Sequence, residues 1–219
     1  MSLVCDCANA DFSALSDFSC IEDVGVPVKL ILQKTLDSSG AENTITPANL
    51  VLKATWTDGL TPGSGLLETN TDDTCVITPI MHGVEQSGGE VRTYGGGNQT
   101  FGGIPIVRGS EFMNFSGEFL RLNQKTVSEL KDFSCYDGNL SAYWIFENGQ
   151  IGVLVDDYDT PTAVKGIPIR SWFVGDKMFG QRDGIDKNMV TFSTLEDQFN
   201  LFKLYTPTDF DALTLTNTP

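Results

Sequence analysis

The single histidine of this 219-residue chain, His82 in Ile80-Met81-His82-Gly83, sets the first limit on its chemistry. A serine or cysteine nucleophile needs a base, most often a histidine. No Gly-x-Ser-x-Gly elbow occurs anywhere in the chain, so His82, on a β-type stretch, reads as structural or exposed and no catalytic residue is expected. Gly95-Gly96-Gly97-Asn98 has the glycine content of a phosphate loop. It lacks the following Gly-Lys-Ser/Thr and the helix whose amides would face a phosphate. The best chemical candidate is Asp156-Asp157-Tyr158-Asp159, where Asp156, Asp157 and Asp159 together suit a hard cation such as Ca²⁺. The loop glycine and closing glutamate of an EF-hand are missing, however, and solvated acids are routine in the turn after a strand. Cys5, Cys7 and Cys20 offer three thiolates to zinc, with only Cys75, Cys135 or His82 left as a fourth ligand. None of these sits in a paired knuckle, so free thiols are expected, with no metal and no cofactor. A carboxylate pair for glycoside hydrolysis is defined in space rather than in sequence, and nothing singles one out among 29 acids.

Composition narrows the class further. The chain carries 29 acidic and 14 basic side chains, a formal net charge of -15. Charged residues are only 20% of the total, and 14 Phe, 5 Tyr and 3 Trp provide material for a core, which excludes a disordered acidic tail. The acidity is shared between the halves, so no charge boundary marks a domain junction, and one domain spanning 1–219 is expected. A protein that grips nucleic acid needs clustered cations, which this chain lacks. The amino-terminal Met1–Cys7 has neither the cationic start nor the apolar core of a signal peptide, and no apolar run approaches the roughly 20 residues that cross a bilayer. Cytosolic synthesis and no membrane partner are the expectation. The sequons at Asn98, Asn114 and Asn139 carry little weight in that setting.

The pattern along the chain is mainly β. Residues 1–25, with Phe12, Leu15, Phe18 and Ile21 among small and acidic residues, read as an amino-terminal arm or a short amphipathic helix. Strands are expected over Val26–Leu36 and Leu50–Trp56, the second ended by Asp58-Gly59. From Thr57 to Gly109 glycine groups separate short β-type pieces such as Cys75–Ile80 and Val91–Tyr94. This insertion reads either as a long hairpin or loop ordered against a partner or as several short strands of the main sheet. Tyr94, Phe101, Ile104 and Ile106 within it are poorly placed for the domain's own core.

Further on, Phe112–Leu120 alternates as a strand, and Lys125–Phe133 has the apolar stripe Val127, Leu130, Phe133 of a helix. Thr126-Val127-Ser128-Glu129 fits a capping box for that helix. Leu140–Glu147 alternates around Trp144, Asn148-Gly149 makes a hairpin turn, and Ile151–Val155 returns as its partner. Strands over Val164–Val174, Met189–Leu195 and Leu201–Tyr205 complete the list, the first two joined through Gly180–Gly184. The Thr-, Asp- and Pro-rich residues 206–219 read as a second extended arm. The expected architecture is a β-sandwich or barrel over 26–205, with one short flanking helix and no βαβ rhythm.

The order strand, short capped helix, Asn-Gly hairpin, then strands carrying Gly166-Ile167-Pro168-Ile169 and Phe173-Val174-Gly175-Asp176-Lys177 resembles structural proteins of tailed bacteriophages. Over Gly109–Tyr205 the layout is most similar to tail tube proteins of phages infecting Bacteroidetes. That resemblance implies a β-sandwich subunit of the virion that stacks as hexameric rings, with long loops and terminal arms buried on neighbours. Phe12, Phe18, Tyr94, Phe101, Ile104 and Ile106 would then be interface residues, and Asp156, Asp157 and Asp159 candidates for the lumen. The partners would be other copies of the chain and other virion proteins, and DNA would pass without being bound. The acidity would then repel the phosphates of passing DNA, by ~1 kcal/mol per pair at 4 Å in a water-like dielectric, along the whole tube. Two alternatives stand beside it. One is another virion part: a connector, tail terminator, capsid or decoration protein. The other is a carbohydrate-binding β-sandwich with Tyr143, Trp144 and Trp172 as an aromatic platform, although Trp144 in mid-strand reads better as core.

Overall fold

The computed structural model describes residues 25–37, 39–60, 75–95, 106–180, 184–195 and 198–217. The central strand is β7 (Leu140–Phe146), every residue of which is buried. Its even positions, Leu140, Ala142, Trp144 and Phe146, enter one apolar cluster, and Tyr143 and Ile145 enter another on the opposite face. The alternation of the sequence is therefore a strand between two cores rather than a strand with a wet side. β1 (Pro27–Lys34) runs antiparallel along the whole of one edge of β7. The other edge is shared: β10 (Ile167–Val174) pairs with its first half and β8 (Ile151–Val155) with its second. The Asn148-Gly149 turn links β7 and β8 as expected, with Gly149 at φ +78°.

The sheet forks at this shared edge. One branch continues from β10 to β11 (Lys187–Thr194), β6 (Met113–Leu120) and β3 (Met81–Gly88). The other runs from β8 to β12 (Phe202–Tyr205), with the short β9 (Val164–Lys165) also on β8 and β2 (Val76–Ile77) on β1. The first branch bends back over β7. Phe115 of β6 meets Trp144 edge-on at 4.9 Å and stacks on Phe192 of β11 at 5.1 Å. Helix α3 (Gln124–Asp132) closes this core with Val127 and Leu130, and Trp172 Nε1 donates to the Leu130 carbonyl at 2.8 Å. A mainly antiparallel β fold with one flanking helix of more than two turns thus agrees with the expectation; the sheet is bent and forked rather than closed into a barrel.

Three local expectations are corrected. Leu50–Trp56 is not a strand: α1 (Pro47–Leu50) and α2 (Lys53–Gly59) occupy this region. Thr46 caps Pro47 at the first helical position, and Leu50, Trp56 and Leu60 are buried while Leu52 and Ala54 are not. That is a helical face, and it covers the second core. Helix α3 is capped by Asn123, whose Oδ1 accepts from Thr126 N at 2.8 Å, so the Thr126–Glu129 box lies inside the helix. Residues 206–217 do not extend as an arm. Ala212 and Leu215 are buried in the second core, and the Lys29 ammonium donates to the carbonyls of Leu213 and Leu215 at 2.9 and 2.7 Å. The amino-terminal arm, residues 1–24, lies outside the described residues.

Candidate assembly surface

β3 is an edge strand, and the chain does not turn back when its pairing with β6 ends at Gly88↔Met113. It continues into β4 (Val91–Tyr94), which pairs with β5 (Ile106–Ser110) as a separate two-stranded sheet before β6 begins. Within the Gly-rich insertion, Met81–Gly88 therefore belongs to the main sheet, and Val91–Tyr94 with Ile106–Ser110 forms a separate two-stranded arm beyond it. The junction is built from Gly88 and Gly89, at φ +87° and +77°. A Cβ on Gly88 would lie 2.1 Å from the Phe112 carbonyl oxygen, so the close approach of the two strands there requires glycine.

The arm is apolar on both faces and covered on neither. Tyr94 and Ile106 are direct cross-strand neighbours, as are Thr93 and Val107, and alternation turns the two pairs to opposite faces. Tyr94, Ile106 and Val107 are 50%, 57% and 66% exposed. The Arg108 guanidinium lies 4.4 Å above the Tyr94 ring. An isolated two-stranded ribbon is marginal in water, because neither face buries enough apolar area to offset its ordering. The arm also differs in charge from the rest. Val91–Ser110 contains Arg92 and Arg108 and no acid, a net +2 in a chain of net -15.

Tyr94 and Ile106 are thus cross-strand neighbours on one exposed face, outside both cores. Phe12, Phe18, Phe101 and Ile104 lie outside the described residues. Sequence reading missed Val91 and Val107 on the arm, where the absence of acids was the available signal. It also missed a second apolar surface on the turn between β10 and β11. There Phe173 and Met189 lie side by side on the outer face, both against Gly175, and Met178, Phe179 and Ile185 are exposed beyond them.

The three candidate lumen acids share one exposed turn between β8 and β9. The Asp156 carboxylate accepts from the Thr162 hydroxyl and from the backbone N–H groups of Asp157, Thr162 and Ala163. These bonds, the Thr162 hydroxyl foremost, hold its carboxyl far below the usual carboxylate range. Asp157 accepts from the N–H groups of Asp159 and Thr160 at 2.8 and 3.0 Å. The run therefore shapes its own turn. Among the described residues no group of three His, Cys, Asp or Glu side chains is arranged for a metal. Cys5, Cys7 and Cys20 fall outside them, Cys75 is buried and Cys135 exposed, and His82 is exposed on β3. Tyr143, Trp144 and Trp172 are buried in the two cores, which removes the aromatic platform a sugar would stack on. No described helix is long and apolar enough to cross a membrane.

No family model matches this chain, and no curated protein is significantly similar to it. Among solved structures it is similar to a chain in the cryo-EM structure of the anti-feeding prophage baseplate, six-fold symmetrised. The likeness covers 90% of this chain and 100% of that one, at 8% identity and a TM-score of 0.32. So loose a likeness assigns neither fold nor role, and the functional reading rests on the arm, the charge and the layout of the chain.

Proposed function

We propose that this chain is a self-assembling structural subunit of a virion, in its specific form a tail tube protein whose rings stack into a conduit for DNA. The observation that carries the reading is the β4–β5 arm. It stands off the main sheet with apolar side chains on both faces, and it is basic where the rest of the chain is strongly acidic. A ribbon of that kind becomes stable when a neighbour covers it. A contact between unlike surfaces of identical copies propagates instead of closing on itself, which is the route to stacked rings and tubes.

The remaining features support the same role. No nucleophile–base pair is evident among the described residues, and we propose no catalytic activity. Net charge -15 suits a wall that DNA slides past without sticking. The layout of Gly109–Tyr205 adds the resemblance to phage tail tube proteins. A connector, terminator or decoration protein uses the same self-association in a closed ring rather than an open stack.

Electron microscopy of the purified full chain across a concentration series tests the proposal. Regular rings or tubes are expected. Closed rings that never stack would favour the connector or terminator role, and monomers at every concentration would refute self-assembly.

A further inference from the structure

We infer that the cavity between α3, β2 and the carboxy-terminal segment is a binding site for a small organic acid, whose carboxylate is anchored by the Lys29 ammonium. The site does not depend on the self-assembly reading above and lies apart from the arm.

Lys29 is only 6% exposed, a rare setting for a lysine. A buried ammonium has three N–H groups to satisfy. Two are spent on the carbonyls of Leu213 and Leu215, at 2.9 and 2.7 Å. The third has no acceptor among the described residues. Both bonds go to neutral oxygens, so no carboxylate touches the charge. Asp211 attracts it through space, but its Oδ1 is engaged by the Leu213 N–H at 2.9 Å. Burial outweighs that attraction and holds the ammonium below the usual lysine range. An anion beside Lys29 would supply both the missing acceptor and the missing charge.

The space for it is present. Lys29 lines a cavity of about 220 Å³ with Val76, Ile77, Pro79, Leu130, Phe133 and Leu215, all of them described residues. An apolar cavity of about 150 Å³ takes a benzene ring, so this one accommodates a single ring or a short alkyl chain. Apolar walls around one cation select an amphiphilic anion. Its body gains by leaving water, and its carboxylate accepts a charge-assisted hydrogen bond. The other polar groups are engaged: Asn217 holds Ile77 through both its amide atoms, and Thr78 Oγ1 accepts from Leu30 N at 3.0 Å. Glu129 is the acid among the lining residues. Its side chain is 60% exposed and lies 3.7 Å from the Lys125 ammonium, so solvent and a cation screen it from the ligand.

Isothermal titration of the full chain with benzoate and with benzyl alcohol tests the inference, since the two share a ring and differ in charge. Benzoate is expected to bind saturably and benzyl alcohol about 10-fold more weakly. Lys29→Met keeps the stem and removes the ammonium, and is expected to abolish the preference for benzoate. That variant also frees two carbonyls of the carboxy-terminal segment, so a second one leaves Lys29 untouched. Thr126 lines the cavity half-buried, and only its backbone N–H is used, towards Asn123. Thr126→Phe is expected to fill the cavity and abolish binding of both probes at a melting temperature close to wild type. Absence of saturable benzoate binding to the wild-type chain would overturn the inference. So would equal affinity for the two probes, or undiminished benzoate binding by Thr126→Phe.

Discussion

Asn217 grips both backbone groups of Ile77: its Oδ1 accepts from Ile77 N at 2.8 Å and its Nδ2 donates to Ile77 O at 2.9 Å. One side-chain amide thus does for the free edge of β2 what a further strand would do. It also pins the carboxy-terminal segment, 140 residues away in sequence, to the sheet.

Replacing Asn217 with Ala therefore releases that segment from the β2 edge. Two partly buried hydrogen bonds are lost, for about 1 kcal/mol of net stability after water replaces them. Urea unfolding is expected to show this loss. A shift of the same size is not expected for Thr216→Ala, because Thr216 makes no comparable bond to the sheet among the described residues.

Two of the three core tryptophans, Trp56 and Trp144, separate hydrogen bonding from packing. Trp56 Nε1 donates to the Leu50 carbonyl at 2.8 Å, whereas Trp144 Nε1 is buried without a partner among the described residues. Trp144→Phe removes an unsatisfied donor, which offsets much of the lost contact, and is expected to cost below about 1.5 kcal/mol. Trp56→Phe leaves the Leu50 carbonyl unpaired and is expected to cost more than Trp144→Phe. Trp144→Ala, which opens a cavity beside Phe115, Phe146 and Phe192, is expected to cost about 3–5 kcal/mol. Chemical denaturation of the three variants gives the order directly.

Asp156 gives the β8–β9 turn a defined response to acid. Its folded pKa lies below the ordinary carboxylate value, so its contribution is fully present above about pH 4 and is lost as pH falls towards the folded value. The amide resonances of Thr162 and Ala163, followed by NMR from pH 7 downward, are expected to stay native until pH is below about 4. Asp156→Ala is expected to shift them already at neutral pH.

The same hydrogen bonds bear on cation binding. The Asp156 and Asp157 carboxylates are turned onto backbone N–H groups of their own loop. Binding of Ca²⁺ would require these bonds to break and several oxygens to converge. Millimolar Ca²⁺ is therefore expected to leave the melting temperature unchanged, as measured by calorimetry with and without chelator.

Much of the fold was legible because its signals are local. The alternation about Trp144 and the Asn148-Gly149 turn give β7 and β8, and the Val127, Leu130, Phe133 spacing gives α3. The failures have a common physical cause, which is partners far away in sequence. Leu50–Trp56 shows a two-residue alternation as well as a helical face, and only the core above Tyr143 selects the face. The carboxy-terminal segment has the composition of a loose tail, yet Lys29, 184 residues from Leu213, holds its carbonyls. In the candidate site, glycines and stranded aromatics flagged the arm. The β10–β11 turn gave no warning, because Phe173 and Met189 meet at Gly175 only when the hairpin closes.

Self-assembly through the arm is the central claim, and sedimentation velocity of the full chain tests it most directly. Wild-type protein is expected to form large species as its concentration rises, and Ile106→Asp with Val107→Asp is expected to remain monomeric at the same concentrations with an unchanged melting temperature. Wild-type protein that stays monomeric throughout, or an arm variant that assembles as well as wild type, would contradict the account.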